Sequence, residues 1–364
     1  TKSIYFDAIQ KEYIDHNRST LTNTYFSLAY PGYDLTPLKA IQDADVINLH
    51  WVARFQSPAT IQQLLDLGKP VVWTLHDMWA FTGGCHYSAG CLKYETDCDR
   101  CLQLQHDPHS LTATILNDKL NFLQSENLTI VAPSQWLATC AKQSKLFRHH
   151  RVEVIPYSLD TNTFEPMAKQ EAKKTLGIDA DVFTIMFGAM SVNEERKGFF
   201  EFLQAIWRCR SDAKFQKLVE AKKIALLCVG HPNELLQALD IPVYSLGYVE
   251  SDRTMSMAYS AADVFVLPSL EDNLPNTMLE ALSCGTPVIA FDVGGIPDFV
   301  KPDETGWLVP VRDAVALANV LLSCIFDVNV CRRLGQVGRQ NMLDACSLEI
   351  QAGRYLDLFQ ELMR

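Results

Sequence analysis

The feature that most constrains this chain is an alternation of short apolar runs with stretches of helical period, played out twice. VINLHWV (46–52) reads as a strand, PATIQQLLDLG (58–68) as a helix closed by a glycine, and KPVVWTLHD (69–77) as the next strand. SLTATILNDKLNFLQ (110–124) has helical period, LTIVAPS (128–134) is a strand, SQWLATCAKQSKLF (134–147) a helix and VEVIPYSLD (152–160) a strand. Strands separated by whole helices pair in parallel through crossovers, so the chain is α/β.

After a charged stretch at 169–174 the rhythm restarts. VFTIMFGAM (182–190), KIALLCVGH (223–231), VYSLGYV (243–249), DVFVLPS (263–269) and PVIAFD (287–292) read as strands, and 198–210, 252–262, 275–284 and 313–326 as helices. The 364 residues, 48% apolar, suffice for two cores. We therefore expect an N-terminal domain at 1–160, a second at 161–345, and a closing helix in 346–364. Ligands of such sheets bind in crevices at the carboxyl ends of the strands. Residues 1–40 lack the strand, Gly-rich turn and helix that usually open a nucleotide-type sheet, and 23–36 read as irregular and aromatic-rich. The first sheet is expected to be incomplete at its N-terminal side.

A net charge of −11 argues against a general affinity for nucleic-acid phosphates. No apolar run reaches the roughly 20 residues that span a bilayer, and the N-terminus has no apolar signal-peptide core. These features lead us to expect a cytoplasmic enzyme. Of eleven cysteines, seven are scattered through helix- and strand-like segments as small buried residues.

PSLEDNLPNTMLEALSCGTPVIAFDVGG (268–295) carries the chemistry. A strand ends at Pro268-Ser269, a loop follows, Pro275 suits the first position of a helix, and Gly285 ends it. At 100° per residue Met278, Leu279 and Leu282 share one face, and Asn276, Glu280 and Ser283 the other. Free N–H groups at a helix start attract a diphosphate. A carboxylate further along can accept two hydrogen bonds from a ribose diol. In FGAMSVNEERKG (187–198), Arg196 and Lys197 stand at a helix start, where the dipole disfavours cations unless an anion joins them.

These segments resemble the donor-binding signature of retaining glycosyltransferase family 4, which has the GT-B fold: an acid, seven residues, a Glu, then a Cys-Gly-x-Pro-Val turn. The match runs on through Gly294-Gly295, Pro297 and TGWLVP (305–310), and the resemblance covers roughly 43–345. It implies two Rossmann-like domains facing across a cleft, with the terminal helix packing back on the first. It implies that Glu280 binds the donor ribose, that Asn273, Leu274, Pro275 and Asn276 present the helix start to the diphosphate, and that Arg196 and Lys197 neutralise it. The acid near the transferred sugar is Asp272 here, where the family has Glu, and Glu271 precedes it; either can fill that role. Position 189 is Ala where the family often has Arg. In SLGYVESDRTMSMAYSAADVFVLPS (245–269), Gly247 and Val249 would neighbour the base. VIPYSLDTNTF (154–164) resembles the interdomain stretch. His76, in WTLHDMWAFTGGCHY (73–87), would reach the sugar or its acceptor.

The activity implied is transfer of a hexose, with retention and without a catalytic metal. The donor would be a UDP-sugar such as UDP-glucose, or next a GDP-sugar such as GDP-mannose; the acceptor, a polysaccharide or lipid-linked oligosaccharide. A nucleotide-sugar epimerase of GT-B fold and a non-catalytic nucleotide-sugar-binding subunit are the alternatives.

Three features stand outside that pattern. Cys85, Cys91, Cys98 and Cys101 crowd a Gly-rich loop at 82–108 and can close a structural zinc site, with His86 as a substitute ligand; free thiols or two disulfides are the other readings. Trp79 and Phe81 can stack on a sugar ring or belong to the core. Lys142, Lys145 and Arg148 fall at helical spacing, either as a solvated face or as peripheral contact with an anionic membrane or a lipid diphosphate.

Overall fold

The computed structural model describes residues 2–107, 109–188, 194–230 and 234–364. The chain forms two compact units: Thr1–Pro156 with Gly353–Arg364, and Tyr157–Ala352.

The sheet of the first unit holds β1 (Ile47–Leu49), β2 (Val71–Thr74), β3 (Leu128–Ala132) and β4 (Arg151–Val154), all parallel, in the order β1-β2-β3-β4. The strands stop sooner than the apolar runs suggest. Residues 50–52 and 75–77 leave the ladder at its carboxyl end, which frees His50, Trp51, His76 and Asp77 from the sheet. Strand residues alternate between faces. Val71 and Trp73 join one core with Phe81 and Phe147. Val72 and Val131 join another, covered by Leu358 with Tyr355, Phe359 and Leu362 of the terminal helix Leu348–Leu362. Tyr355 Oη and Thr74 Oγ1 lie 3.0 Å apart, and Arg151 forks onto Glu361 at 2.7 and 2.8 Å. That ion pair is exposed and contributes at most about 1 kcal/mol; apolar burial holds the helix.

Residues 2–17 are helical, a feature the sequence reading did not anticipate: Lys2–Ile9 continues through one π turn and one 3-10 turn. Ile14 is fully buried, and Gln10 donates to Phe26 O and accepts from Leu28 N, which fixes the irregular segment behind it. That segment touches the Cys-rich loop through isolated bridges, Arg18 with Leu104 and Phe26 with Cys85.

The second sheet holds β5 (Phe183–Gly188), β6 (Ile224–Val229), β7 (Val243–Ser245), β8 (Val264–Leu267), β9 (Val288–Phe291) and β10 (Gly306–Val309). All are parallel, in the order β10-β9-β8-β5-β6-β7. The order reverses between β5 and β8. Phe199, Phe202 and Ile206 of helix Phe199–Cys209, which follows β5, pack on one face with Ile185 and Phe187. Met278 and Leu282 of helix Asn276–Ser283, which follows β8, pack on the other with Met186. Chains leaving toward opposite faces open a crevice at the carboxyl ends of these two strands.

The helices Lys169–Thr175, Ala213–Glu220 and Val328–Ala345 were not anticipated. Each is rich in charged or polar residues, so a charged stretch was read where the first of them stands. Among the described residues no single helix is long and apolar enough to cross a membrane.

Leu358 is 5% exposed and Leu356 57%. Leu358→Ala is expected to lower stability by about 2–5 kcal/mol through the cavity it leaves, and Leu356→Ala to change it by less than about 0.5 kcal/mol. Chemical denaturation of the two variants measures the difference.

Candidate active site

The crevice between β5 and β8 is lined by two loops that bind each other. After β5 the chain returns through a 3-10 turn, Glu195–Lys197, and Gly198. Gly198 has φ +68°, and a Cβ there would lie 1.8 Å from Pro268 O, so only glycine lets this turn lie against the end of β8. Leu270 N then donates to Arg196 O at 2.7 Å, and Arg196 Nη1 to Glu271 O at 3.2 Å.

Asp272 lies at the centre, 5% exposed. Its Oδ2 accepts from Lys197 Nζ at 2.7 Å, Arg196 Nη1 stands 3.1 Å away, and Ser269 Oγ donates from 3.2 Å. Its Oδ1 accepts from Asn273 N. Burial alone would raise this carboxyl; the Lys197 and Arg196 charges together outweigh burial and hold it below the usual carboxylate range. Arg196 also forks onto Glu194 Oε1 at 2.6 and 3.0 Å. Glu194, Arg196, Lys197 and Asp272 thus sum to zero charge. Behind them, Gly294 at φ +57° would place a Cβ 1.7 Å from Asp272 O, so the loop after β9 also fits only with glycine.

Asn273 and Leu274 are buried, and Pro275 sits at the N-cap, one residue before the helix; Asn276 is the first helical residue. No side chain caps this helix. Among the described residues, Ser57, Ser134, Asp212, Ser251, Asp313 and Ser347 cap other helices, while the helices starting at Lys39, Lys169, Phe199 and Val328 likewise have no side-chain cap. A side-chain cap is worth about 1 kcal/mol, and here its place at the crevice is left to an external anion or water.

One turn on, Glu280 is half-buried and accepts from Tyr259 Oη at 2.9 Å through Oε2. Burial raises its pKa, and the Tyr259 bond works against that rise. Oε1 has no partner among the described residues. Ser283, expected on the Glu280 face, is buried and donates to Phe164 O, while Arg339 clamps the same carbonyl. Gly247 follows β7, which ends at Ser245 rather than 249; its φ is +63° and Gly230 N donates to its carbonyl. Val249 is half-buried. Ala189 and His231 lie outside the described residues.

In the first unit the ends of β1 and β2 bring polar rings together. His50 Nδ1 and His76 Nε2 lie 3.0 Å apart, their rings stacked. Burial lowers both pKa values; His50 lowers that of His76 further, and Asp77 opposes this. Trp51 Nε1 donates to Asp77 Oδ2 at 3.0 Å, His86 Nδ1 lies 2.7 Å from that oxygen, and Trp79 N donates to Oδ1. His86 Nε2 is 3.0 Å from Ser27 Oγ. With both ring nitrogens engaged, His86 is not the metal ligand the sequence allowed. Trp79 and Phe81 are core residues; Trp51 and Tyr25, both packed against His86, are exposed rings at this edge. His50, Trp51 and Tyr259 were missed because each stands alone in its motif, without a spacing that singles it out.

The four cysteines line one small cavity, and all are free thiols. Lys142, Lys145 and Arg148 are exposed but do not share a helix: it ends at Gln143, where Ser144, buried and extended, caps the next turn through Phe147 N. Arg148 donates to Glu95 O.

The His50–His76 contact makes a measurable prediction. His76 should titrate below the ordinary 6.5, and in His50→Ala it should move upward as the repelling neighbour is lost. NMR titration of the imidazoles decides; a wild-type His76 titrating above 6.5 would sink this account.

The family described as Glycosyl transferases group 1 matches residues 183–327, the stretch that builds the β5–β8 crevice. Alpha-maltose-1-phosphate synthase of Mycobacterium tuberculosis is 28% identical over 232 residues, which are 58% of this chain and 57% of that protein. MMP alpha-(1->4)-mannosyltransferase of Mycolicibacterium hassiacum is 27% identical over 216 residues, 58% of this chain and 48% of its own. The chain thus spans about half the length of these relatives. Among solved structures, sucrose-phosphate synthase from Thermosynechococcus elongatus superposes with TM-score 0.63 at 22% identity, covering 87% of this chain and 73% of that one. Anabaena HepE in complex with UDP gives TM-score 0.64 at 17% identity, covering 89% and 81%. Two parallel α/β sheets and these structural likenesses give the chain the GT-B fold, and its stretch 183–327, with the reversed strand order around the crevice, is similar to the group 1 glycosyltransferases.

Proposed function

We propose that the chain transfers a hexose from a nucleotide sugar to a saccharide acceptor with retention at the anomeric carbon. The observation that carries this reading is the uncapped helix start at Asn276, set between the Arg196–Lys197 turn and the open Glu280 oxygen. The three match, in order, a diphosphate, its leaving charge and a ribose. N–H groups of the first turn receive the diphosphate. Lys197, the more exposed of the two cations, follows its growing charge as the glycosidic bond breaks; such preorganised electrostatics need no catalytic metal. Glu280 Oε1 accepts from a ribose hydroxyl while Tyr259 keeps Oε2. Asp272 holds Lys197 in place, and Asp272 or the adjacent Glu271 meets the hexose. Gly247 and Val249 border the base. The acceptor hydroxyl attacks from the face the diphosphate leaves, with His76 beside the sugar.

A UDP-sugar such as UDP-glucose is the favoured donor and GDP-mannose the next. HepE of Anabaena has been solved with UDP and with UDP-glucose, which supports that order. The acceptor would be a polysaccharide or a lipid-linked oligosaccharide. A lipid diphosphate would meet the exposed Lys142, Lys145 and Arg148, which would make the enzyme peripheral to a membrane.

Calorimetry with UDP, GDP and their sugars tests the site. Glu280→Ala is expected to weaken donor binding by about tenfold or more, the loss of one charge-assisted hydrogen bond. Lys197→Arg, which keeps Asp272 paired, is expected to lower turnover more than donor affinity, because a displaced charge matters most in the transition state. Unchanged donor affinity in Glu280→Ala would remove the ribose assignment. Product analysis separates the alternatives: free nucleoside diphosphate with a new glycoside supports transfer, an epimerised nucleotide sugar replaces it, and binding without turnover leaves a binding subunit.

A further inference from the structure

Cys85, Cys91, Cys98 and Cys101 belong to a segment with almost no regular structure of its own: between Phe81 and Leu111 it holds one 3-10 turn, Lys93–Glu95. All four nevertheless line one cavity of about 20 Å³, room for a single water or ion. Each thiol lies within electrostatic reach of the other three.

Lys93 lines this cavity and donates to Asp99 O and Arg100 O, and two further cations stand close to its cysteines. Lys119 is 1% exposed; its Nζ donates to Trp79 O at 2.5 Å and Thr82 O at 2.8 Å and lies 4.1 Å from the Trp79 ring centroid. Arg18 donates to the carbonyls of Thr22, Thr24 and Gln103 and to Gln103 Oε1. Neither forms an ion pair with a carboxylate among the described residues. The charge of Lys119 falls on Cys98, Cys85 and, more weakly, Asp77; that of Arg18 on Cys101, Cys85 and, more weakly, Asp15. Lys119 is buried without a directly bonded carboxylate and Arg18 is half-buried, so negative charge inside this cavity would be favoured by both. Four neutral thiols supply none, and two disulfides supply none.

We infer that the four cysteines bind one zinc ion as a tetrathiolate whose net double negative charge Arg18 and Lys119 balance. Each thiol releases its proton to solvent as its sulfur–zinc bond forms, so four protons leave and a dianion remains. Four soft ligands favour zinc over hard cations and leave no open position, so the ion is structural. In the structure the sulfurs surround the cavity without being drawn together: no three His, Cys, Asp or Glu side chains form a ligand group among the described residues. Bonds of about 2.3 Å require the loop to contract, and the half-exposed Cys91 and Cys101 are the arms with room to move. The closed site would tie the loop to the strand-end cluster, since Cys85 adjoins His86, which is bonded to Asp77, and Thr112 Oγ1 donates to Cys98 O.

The test uses the full chain, grown and purified with zinc and without chelator. Elemental analysis should find about one zinc per chain, and cobalt exchanged into the wild type should give the thiolate charge-transfer bands of a tetrathiolate site. Cys101→Ser should lose most of the metal, and a strong chelator should lower the melting temperature of the wild type. Arg18→Gln should weaken zinc affinity, read by competition with a chromophoric chelator, by about tenfold as one balancing charge is lost. A wild-type chain that is folded by circular dichroism yet carries no zinc after exposure to the ion overturns the inference, as do disulfides found by mass spectrometry in that chain. Unchanged affinity in Arg18→Gln overturns the charge-balance argument. All these readouts are independent of glycosyl transfer.

Discussion

The second unit's crevice depends on one buried carboxylate. Asp272 sits on the loop after β8, and its partners Arg196 and Lys197 sit on the turn after β5, more than seventy residues away in sequence. Removing one partner of a buried ion pair costs about 3–5 kcal/mol, far more than an exposed pair contributes. The contact therefore fixes the two loops against each other at the point where the strand order reverses. Gly198 and Gly294 serve the same contact from either side, because any Cβ at those positions would strike the backbone of Pro268 or Asp272. The helix start at Asn276 is aimed by this arrangement and not by a cap of its own.

The electrostatics of the crevice follow from it. Glu194 and Asp272 together neutralise Arg196 and Lys197, so the proposed diphosphate would not meet two bare cations. It would meet a neutral cluster whose positive ends are held in place, beside a helix start with no side-chain cap. Preorganised dipoles of this kind cost little reorganisation when charge develops. Glu280 is tuned in the opposite sense: burial disfavours its charge, and the Tyr259 hydroxyl partly restores it. A carboxyl group that already accepts one hydrogen bond, with its other oxygen open, has room for a second hydroxyl.

Much of this was legible in the sequence because it is local. The strand–loop–helix–strand unit at 263–292 carries its own punctuation in Pro275 and Gly285, and its acids sit at a spacing the helix sets. What was not legible arises from pairing across the fold. Tyr259 meets Glu280 only because helix Asp252–Ala261 packs beside helix Asn276–Ser283. His50 meets His76 only because β1 pairs with β2 in a register that sets Leu49 against Trp73. The helices at 213–220 and 328–345 do carry an apolar stripe, at Phe215 and Val219 and at Cys331, Leu334 and Met342, but it is thin among charged and polar residues. The reading of Lys142, Lys145 and Arg148 as one helical face failed because Ser144 ends the helix and begins a new turn, a competition its hydroxyl often wins over helix continuation. Trp79 and Phe81, which composition left open between sugar stacking and core, went to the core because the 3-10 turn at 79–81 folds them under the loop.

Local rules are broken in this chain at particular places, and the places coincide with chemistry. A helix lacks its cap at Asn276, a carboxylate is buried among cations at Asp272, two imidazoles face each other at His50 and His76, and a lysine is buried among carbonyls and thiols at Lys119. Most of the chain keeps the rules: about half of the helix starts carry a side-chain cap, strands alternate and apolar residues fill the cores. A sequence that is consistent almost everywhere can carry a few such departures without losing its fold. Three of the four lie just beyond the carboxyl ends of strands, where loops are free of the ladder and a polar group can be left for a ligand. The fourth, Lys119, lies on the helix Leu111–Phe122 under a loop with no ladder to order it. A buried charge is a poor way to stabilise such a loop unless something of opposite charge belongs beside it; Asp77 supplies part of that charge from a distance, and the cysteine sulfurs are the groups that act on Lys119 more strongly.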